Sequence, residues 1–404
     1  MQIDLLAVSG YESGHPFEQF KWLRENAPVY KHHDPFGDNG FWAITRYNDV
    51  RHVLMNPDIF GNYPSILLPD NISLGDETHR ELLFKDGDDH RKHRNFLNPE
   101  FTPSAVKKLT GHVEAVVNEI IDDVIEKGSC DIVEDLAGKM ASYVIADILG
   151  QPRADLVEMY ATADRVLNAR DRHSGEGAAA VAQMIAYITN IWEHRDERPD
   201  DLLRRVSHGN WDDKPVDLLQ FCLDARQLII AGGDTTRNAF SGGMAEILSK
   251  PEIWKVLQDS PDNLRAAVEE ILRWVSPVSM QRRTALQDTE LAGIHIAKGD
   301  KVVVFNPSAN RDPEMFAEPD RFNPLRSPNP HLAFGAGPHM CLGMNLARLE
   351  LVTMLRALLV RLPDIRLAGD VRWVNDYANE PPVVVGPKVV PVAFCPGRKL
   401  AGSI

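Results

Sequence analysis

The chain has 404 residues, 44% of them hydrophobic and 25% charged, which excludes a disordered or fibrous chain and leaves one large or two medium globular domains. Lys plus Arg is 44 against 58 for Asp plus Glu, and the formal charge of −14 argues against nucleic acid as partner, because no global positive field would draw in a polyanion. Four scattered cysteines (Cys130, Cys222, Cys341, Cys395) with no CxxC pair argue against a disulfide scaffold and a zinc cluster. No apolar run approaches the ~18–20 residues of a membrane span. The opening Met1-Gln2-Ile3-Asp4 lacks the basic-then-apolar pattern of a secretory leader, so the expected location is the cytoplasm.

In chain order, residues 41–45 read as a short strand after the turn Asp38-Asn39-Gly40. Residues 49–55 read as a short helix and 60–84 as loop, with Pro64, Pro69 and several Gly and Asn. From about 100 to 275 the pattern is mostly helical. Pro103 opens one helix, and Val113, Val116, Val117, Ile120, Ile121 and Val124 recur at three- and four-residue steps, the mark of an amphipathic helix. Residues 216–248 predict one long helix, apolar all round at its centre and therefore buried. Residues 291–300 read as strand, turn, strand, continued by 301–305. Seven prolines then fall between Pro307 and Pro338, a density that leaves few regular elements. A helix is expected over 342–362 and strand-like backbone over 383–394. No internal repeat or clean linker interrupts the chain. The expectation is a single domain over 1–404, mainly α with small β-sheets.

The most informative segment runs from Phe334 to Gly343: F-G-A-G-P-H-M-C-L-G. Glycine permits backbone conformations and close approaches that a Cβ would block. A cysteine just before a helix meets free N–H groups and the positive end of the dipole, both of which favour thiolate. Such a thiolate can ligate a metal or act as a nucleophile. Cys130, Cys222 and Cys395 have no such setting and read as structural. The pattern F-G-x-G-x-H-x-C-x-G, carried by Phe334, Gly335, Gly337, His339, Cys341 and Gly343, resembles the haem-binding loop of cytochromes P450 at every specified position. The resemblance implies haem b with Cys341 as axial thiolate on iron, which favours O–O cleavage, His339 at a haem carboxylate, and Phe334 near the thiolate side of the ring.

Other segments carry the same resemblance in the family's order, from about residue 15 to 395. Glu270 and Arg273 are spaced i, i+3 on one helix face and match its ExxR pair. Pro319-Asp320-Arg321-Phe322 resembles its P-x-R-F segment, so Arg321 is expected to complete a Glu-Arg-Arg brace. Ala231-Gly232-Gly233-Asp234-Thr235-Thr236 resembles its acid–alcohol motif. Two adjacent glycines inside a helix each cost about 0.8–1 kcal/mol relative to alanine, and the resemblance implies a local loosening that admits dioxygen, with Thr235 hydrogen-bonding it and Asp234 relaying protons. Ala231 counts among the cofactor-binding positions. Gly242-Gly243 reads instead as close helix packing. His90 and Arg94, spaced i, i+4, match the family's propionate ligands in a segment that usually reads H-T-R-L-R; here it is H-R-K-H-R. Arg283 matches another propionate-binding arginine, suited to carboxylates by its planar fork. A metal site at His90 and His93 lacks acidic support.

The resemblance implies a haem-thiolate monooxygenase that uses dioxygen to hydroxylate a lipophilic small molecule, and segments 281–286, 308–311 and 329–331 resemble those of soluble bacterial members that oxidise steroids, terpenoids and long alkyl chains. No flavin or iron–sulfur domain is present, so electrons are expected from a separate ferredoxin and ferredoxin reductase, docking where Arg91, Lys92 and Arg348 supply positive charge. The alternatives are a peroxide-using or rearranging haem-thiolate enzyme and a haem-binding sensor without turnover. Expected pocket walls are residues 64–84, about 165–185, 228–235, 278–280 and 384–385, with the polar Arg170, Arg172 and Glu176 expected to form a lid or entrance.

Overall fold

The computed structural model describes residues 1–34, 39–68, 79–159, 175–211, 213–373 and 383–400. Its helices, in chain order, are α1 (Phe17–Asn26), α2 (Tyr47–Met55), α3 (Gly87–Leu97), α4 (Pro103–Lys108), α5 (Thr110–Asp122), α6 (Lys139–Leu149), α7 (Gly175–Glu193), α8 (Leu202–Ser207), α9 (Leu218–Ser249), α10 (Pro251–Asp259), α11 (Leu264–Val275), α12 (Asn306–Ala309) and α13 (Met344–Arg361). The strands are short: β1 (Val29–His32), β2 (Phe41–Ile44), β3 (Phe60–Gly61), β4 (Ser129–Asp131), β5 (Asn210–Trp211), β6 (Lys214–Pro215), β7 (Gln281–Ala285), β8 (Thr289–Leu291), β9 (Ile294–Ile296), β10 (Lys301–Val304), β11 (Arg366–Leu367) and β12 (Pro391–Ala393). The strand-like tail expected over 383–394 narrows to β12.

Helix α9 is the spine. Its 32 residues span about 48 Å at ~1.5 Å per residue. It starts where the Asp217 carboxylate accepts the Gln220 N–H at 2.8 Å, capping an otherwise orphaned donor. It stops at Lys250, because Pro251 cannot continue it and opens α10 instead. Phe221, Ile229, Phe240, Met244 and Ile247 are buried along its length, and α6, α7 and α11 pack around it. The crossing with α11 needs glycine: a Cβ on Gly243 would lie 2.5 Å from Ile271 Cγ2. That is the close packing expected of Gly242-Gly243.

Helix α11 buries Leu264, Ala267, Val268, Ile271 and Leu272 at helical spacing, yet Glu270 and Arg273 on its other side are equally buried. Charges on a helix side that is enclosed by protein must pair internally, since a buried lone charge is strongly unfavourable.

The main sheet has the order β1-β2-β10-β7-β3. Strand β10 pairs in parallel with β2, Val303 opposite Ala43, and antiparallel with β7, Val302 opposite Arg283. This register buries Arg283 within the sheet. A smaller sheet joins β11, β12 and β4. Between α12 and α13 the proline-rich stretch forms only the 3-10 turn Gly337–His339 among regular elements.

Candidate active site

The loop around Cys341 is held by its own backbone and by its glycines. The Cys341 N–H donates to the Phe334 carbonyl at 2.9 Å, closing the loop over the residues between them. Gly335 and Gly337 have φ of +72° and +74°, a left-handed backbone that side chains disfavour. A Cβ on Gly337 would also lie 2.5 Å from the Leu54 carbonyl oxygen at the end of α2. Gly343 caps α13, and its Cβ position opens onto space, with nothing within 4 Å.

Cys341 faces an opening that admits solvent, while the protein packed behind it desolvates the sulfur and pushes its pKa up. The Gly343 backbone N–H, Arg94 and Arg348 oppose that shift. Arg348 lies over the Phe334 ring at 4.7 Å and is anchored to Glu269 at 2.7 and 2.9 Å. His331 contacts the same Glu269 at 2.9 Å. Although burial raises it, these two partners hold the Glu269 carboxyl at about 2. Sequence reasoning did not single out Glu269 or His331, although both neighbour residues of the quoted motifs. Arg348, expected to serve a docking surface, is one-third exposed and tied to Glu269, and Arg91, mostly exposed, pairs with Asp88 at 3.0 Å.

Four basic side chains, His90, Arg94, Arg283 and His339, converge nearby. The His90 and His339 rings stand 3.9 Å apart. His339 reaches Asp86 Oδ1 at 2.9 Å and Asn62 at 3.1 Å. Arg283 is buried, spends its donors on its neighbours' Arg282 carbonyl and Gln281 amide, and is pulled by burial to about 10, with Asp86 opposing. His90 falls to about 3 through burial, then His339 and Arg94. One carboxylate, Asp86, faces the four. Burial leaves the two imidazoles neutral, so Arg94 and Arg283 carry the positive charge against that one carboxylate, and with the imidazole donors beside them the cluster suits an anion.

Helix α9 runs uninterrupted through the acid–alcohol segment, so the expected loosening is absent. Gly232 instead accommodates α6: a Cβ there would lie 3.2 Å from Ile145 Cγ1. Midway along this buried helix Ala231 is exposed, which marks an internal opening beside it. The Thr235 hydroxyl donates back to the Ala231 carbonyl at 3.2 Å, and Asp234 pairs with Arg237 at 3.0 Å. The next residue, Thr236, hydrogen-bonds Glu350 of α13, a carboxyl that full burial pushes well above its ordinary range. Glu350 is a further site residue that sequence reasoning missed.

The brace behind the loop requires one correction. Glu270 takes Arg273 Nε at 2.7 Å and Nη2 at 2.8 Å, and the third member of the brace is Arg326, at 3.1 Å. Arg321, expected in that role, is largely exposed and pairs with Glu318 at 3.2 Å. It contributes only its carbonyl, which accepts from Arg273 and Arg326. The P-x-R-F spacing put an arginine in the right stretch, but Phe322 turns inward and Arg321 consequently outward.

Taken together, the solvent-reached thiol, the two arginines and two imidazoles available to two carboxylates, the open Cβ side of Gly343 and the exposed Ala231 fit haem: iron at sulfur, carboxylates at the basic cluster. Among the described residues, no group of three or more His, Cys, Asp and Glu could hold a metal ion on its own. His93 turns to Asp224, at 2.9 Å.

A model of the cytochrome P450 family matches residues 5–362. The chain belongs to the cytochrome P450 family. As a P450 it is a monooxygenase-type oxidoreductase whose cofactor is haem with a cysteine thiolate ligand, and Cys341 is the cysteine in the family's loop. Among its curated relatives is a steroid C26-monooxygenase of Rhodococcus jostii, 31% identical over 381 residues, covering 89% of this chain and 80% of that protein. Another is the biotin biosynthesis cytochrome P450 of Bacillus subtilis, 32% identical, with 89% and 91% covered. Among solved structures, a Mycobacterium marinum P450 in complex with pseudoionone matches with a TM-score of 0.88 at 30% identity, over 98% and 99% of the two chains. A P450BioI structure bound to a fatty-acyl-loaded acyl carrier protein matches at 0.83 and 31%, over 94% and 97%. Among the described residues no helix is long and apolar enough to cross a membrane.

Proposed function

We propose that this P450 hydroxylates a lipophilic small molecule, a steroid, terpenoid or long alkyl chain, with electrons delivered by a separate ferredoxin and ferredoxin reductase in the cytoplasm. The observation that carries the reading is the opening beside Ala231 in an otherwise buried helix. Leu228, one turn before Ala231 on the same helix, and Met280 of the expected walls are both apolar and buried, and an apolar wall with few polar groups suits a lipophilic guest. The bridge between Val278 and Val384 brings a further apolar edge. The relatives named as steroid C26-monooxygenases and the pseudoionone-bound neighbour support the same class. Of the expected walls, residues 69–78 and 165–174, Arg170 and Arg172 among them, lie outside the described residues, as does the side chain of Glu176.

When bound, haem supplies dioxygen activation, and a thiolate ligand favours O–O cleavage. The protein's residues do the rest in this reading. Cys341 holds the iron, Gly335 and Gly343 leave room for the ring, and Phe334 covers the sulfur side under Arg348. His90, Arg94, Arg283 and His339 bind the carboxylates. Glu270 and Arg273, with Arg326, hold the loop's approach rigid. Thr235 Oγ1 offers a rotatable hydroxyl beside Ala231, and Asp234, paired with Arg237, stands next to it as the proton carrier from solvent.

The test is turnover of the purified P450 with surrogate ferredoxin and reductase. NAD(P)H consumption accompanied by hydroxylated product supports the reading. In the Thr235→Ala variant, NAD(P)H consumption continues while product per NAD(P)H falls several-fold. Unchanged coupling contradicts the role given to Thr235.

A further inference from the structure

Helix α3 carries two of the four basic residues, His90 and Arg94, yet its family-like segment departs from the usual pattern at His93, where the resemblance reads leucine. This histidine is fully buried. Its Nε2 lies 2.9 Å from Asp224 Oδ1 on α9, where both side chains are sealed from solvent. Its Nδ1 lies 3.1 Å from the Lys85 ammonium. An ammonium only donates, so Nδ1 accepts, Nε2 carries the proton, and the imidazole is neutral while joining a cation to an anion. Trp211 closes the cluster: its ring stands 5.1 Å from that of His93, and Lys85 lies 3.7 Å over it. Gln220 adds a second donor to Asp224 Oδ1 at 3.0 Å, and the other oxygen, Oδ2, has no hydrogen-bond partner. Burial draws Lys85 down to about 8, with Asp224 and Asp89 opposing, so it is cationic at neutral pH.

A buried cation–imidazole–carboxylate line between two helices has a consequence for the next residue. Arg94 follows His93 directly, and its charge is felt at Cys341. We propose that the Lys85–His93–Asp224 line is a latch that fixes α3 against α9 and so sets where Arg94 and His90 meet the haem carboxylates, making His93 a positioning residue. The proposal rests on the reading of the site as a haem site. A leucine at 93 would pack in similar space but leave Lys85 and Asp224 as buried charges without their bridge. A glutamine can keep both links, its oxygen accepting from Lys85 and its amide donating to Asp224.

The experiment compares wild type, H93L, H93Q, D224N and H93L/D224N as haem-loaded proteins. It measures haem release into excess apomyoglobin and the ferric–ferrous equilibrium, with melting temperature in parallel. H93L and D224N are expected to release haem about tenfold faster. Both should also favour the ferric state about tenfold more, ~59 mV for one electron, because a loosened Arg94 neutralises the carboxylates less. The double variant should be no worse than the more damaging single one, and H93Q should stay within about twofold of wild type. H93L with wild-type release and equilibrium overturns the latch, as does H93Q behaving like H93L. Should H93L fail to load haem, D224N against H93Q decides alone. If wild type itself shows no thiolate-type reduced CO spectrum, the haem-site reading has failed; a normal wild-type spectrum with indifferent variants means only the latch has.

Discussion

Replacing Arg326 by methionine should damage this protein far more than the same change at Arg321, although sequence resemblance points to Arg321. Arg326 donates to Glu270 at 3.1 Å and to the carbonyls of Ala317, Glu318 and Arg321 at 2.6, 3.2 and 3.1 Å. Its side chain is 9% exposed and that of Glu270 is 0% exposed. Removing one member of a buried ion pair costs about 3–5 kcal/mol, because the partner stays buried and undercompensated. Glu270 would keep Arg273, Asn329 and the Asn323 N–H, which places the expected loss toward the lower end of that range. Arg321 and Glu318 are about 70% exposed, and such pairs contribute about 0–1 kcal/mol. For 404 residues at ~2.1 cal/mol/K per residue, R326M should lower the melting temperature by roughly 3–5 °C and R321M by about 1 °C or less. Thermal melts of both variants, with haem retention followed by the Soret band, are sufficient. Equal losses, or a larger loss in R321M, would refute the assignment of the third brace position to Arg326.

Two further outcomes follow from particular contacts. Gly337→Ala combines a left-handed φ of +74° with a Cβ placed 2.5 Å from the Leu54 carbonyl; it should cost more than the ~1–2 kcal/mol of the backbone alone and reduce haem incorporation on expression, whereas wild-type incorporation and melting would show the loop yields freely. His15 is buried with its Nε2 at 3.0 Å from the carbonyls of Val275 and Ser276, and burial lowers its pKa to about 4 from 6.5, against those two hydrogen bonds. Its folded pKa lies below its unfolded one, so the unfolded chain binds the extra proton between them. Its contribution is therefore full above pH 6.5 and is lost as pH falls toward 4, by up to about 3 kcal/mol at ~1.36 kcal/mol per unit. His15→Gln should flatten the fall in melting temperature between pH 6.5 and 4.5; an unchanged slope would show that His15 does not carry it.

The long helix and the cysteine loop were legible because each obeys a local rule. Apolar residues all round α9 require burial, and Gly335, Gly337 and Gly343 stand where a backbone must turn or leave room. The brace was half legible: the i, i+3 pair Glu270–Arg273 follows from helix geometry alone. Its third member depends on how a stretch with seven prolines folds back, which no periodicity encodes, so the choice between Arg321 and Arg326 could not be read locally. The loosened helix expected at Gly232-Gly233 was a motif-level inference; the structure uses Gly232 to admit Ile145. Glu269, His331 and Glu350 carried no signal of their own, because single charged residues read as surface until their partners in distant segments are known. The same holds for His93, whose partners Lys85 and Asp224 lie on different elements.

The measurement that bears most directly on the central claim is a titration of the purified ferric protein with steroids, terpenoids, fatty acids and aromatics, followed at the Soret band. A haem-thiolate enzyme with an apolar guest site predicts a saturable spin-state shift with one of the lipophilic classes and none with the others. A normal Soret band that no member of the panel shifts would contradict the lipophilic substrate, and no Soret band after haem supplementation would overturn the reading of Cys341 itself.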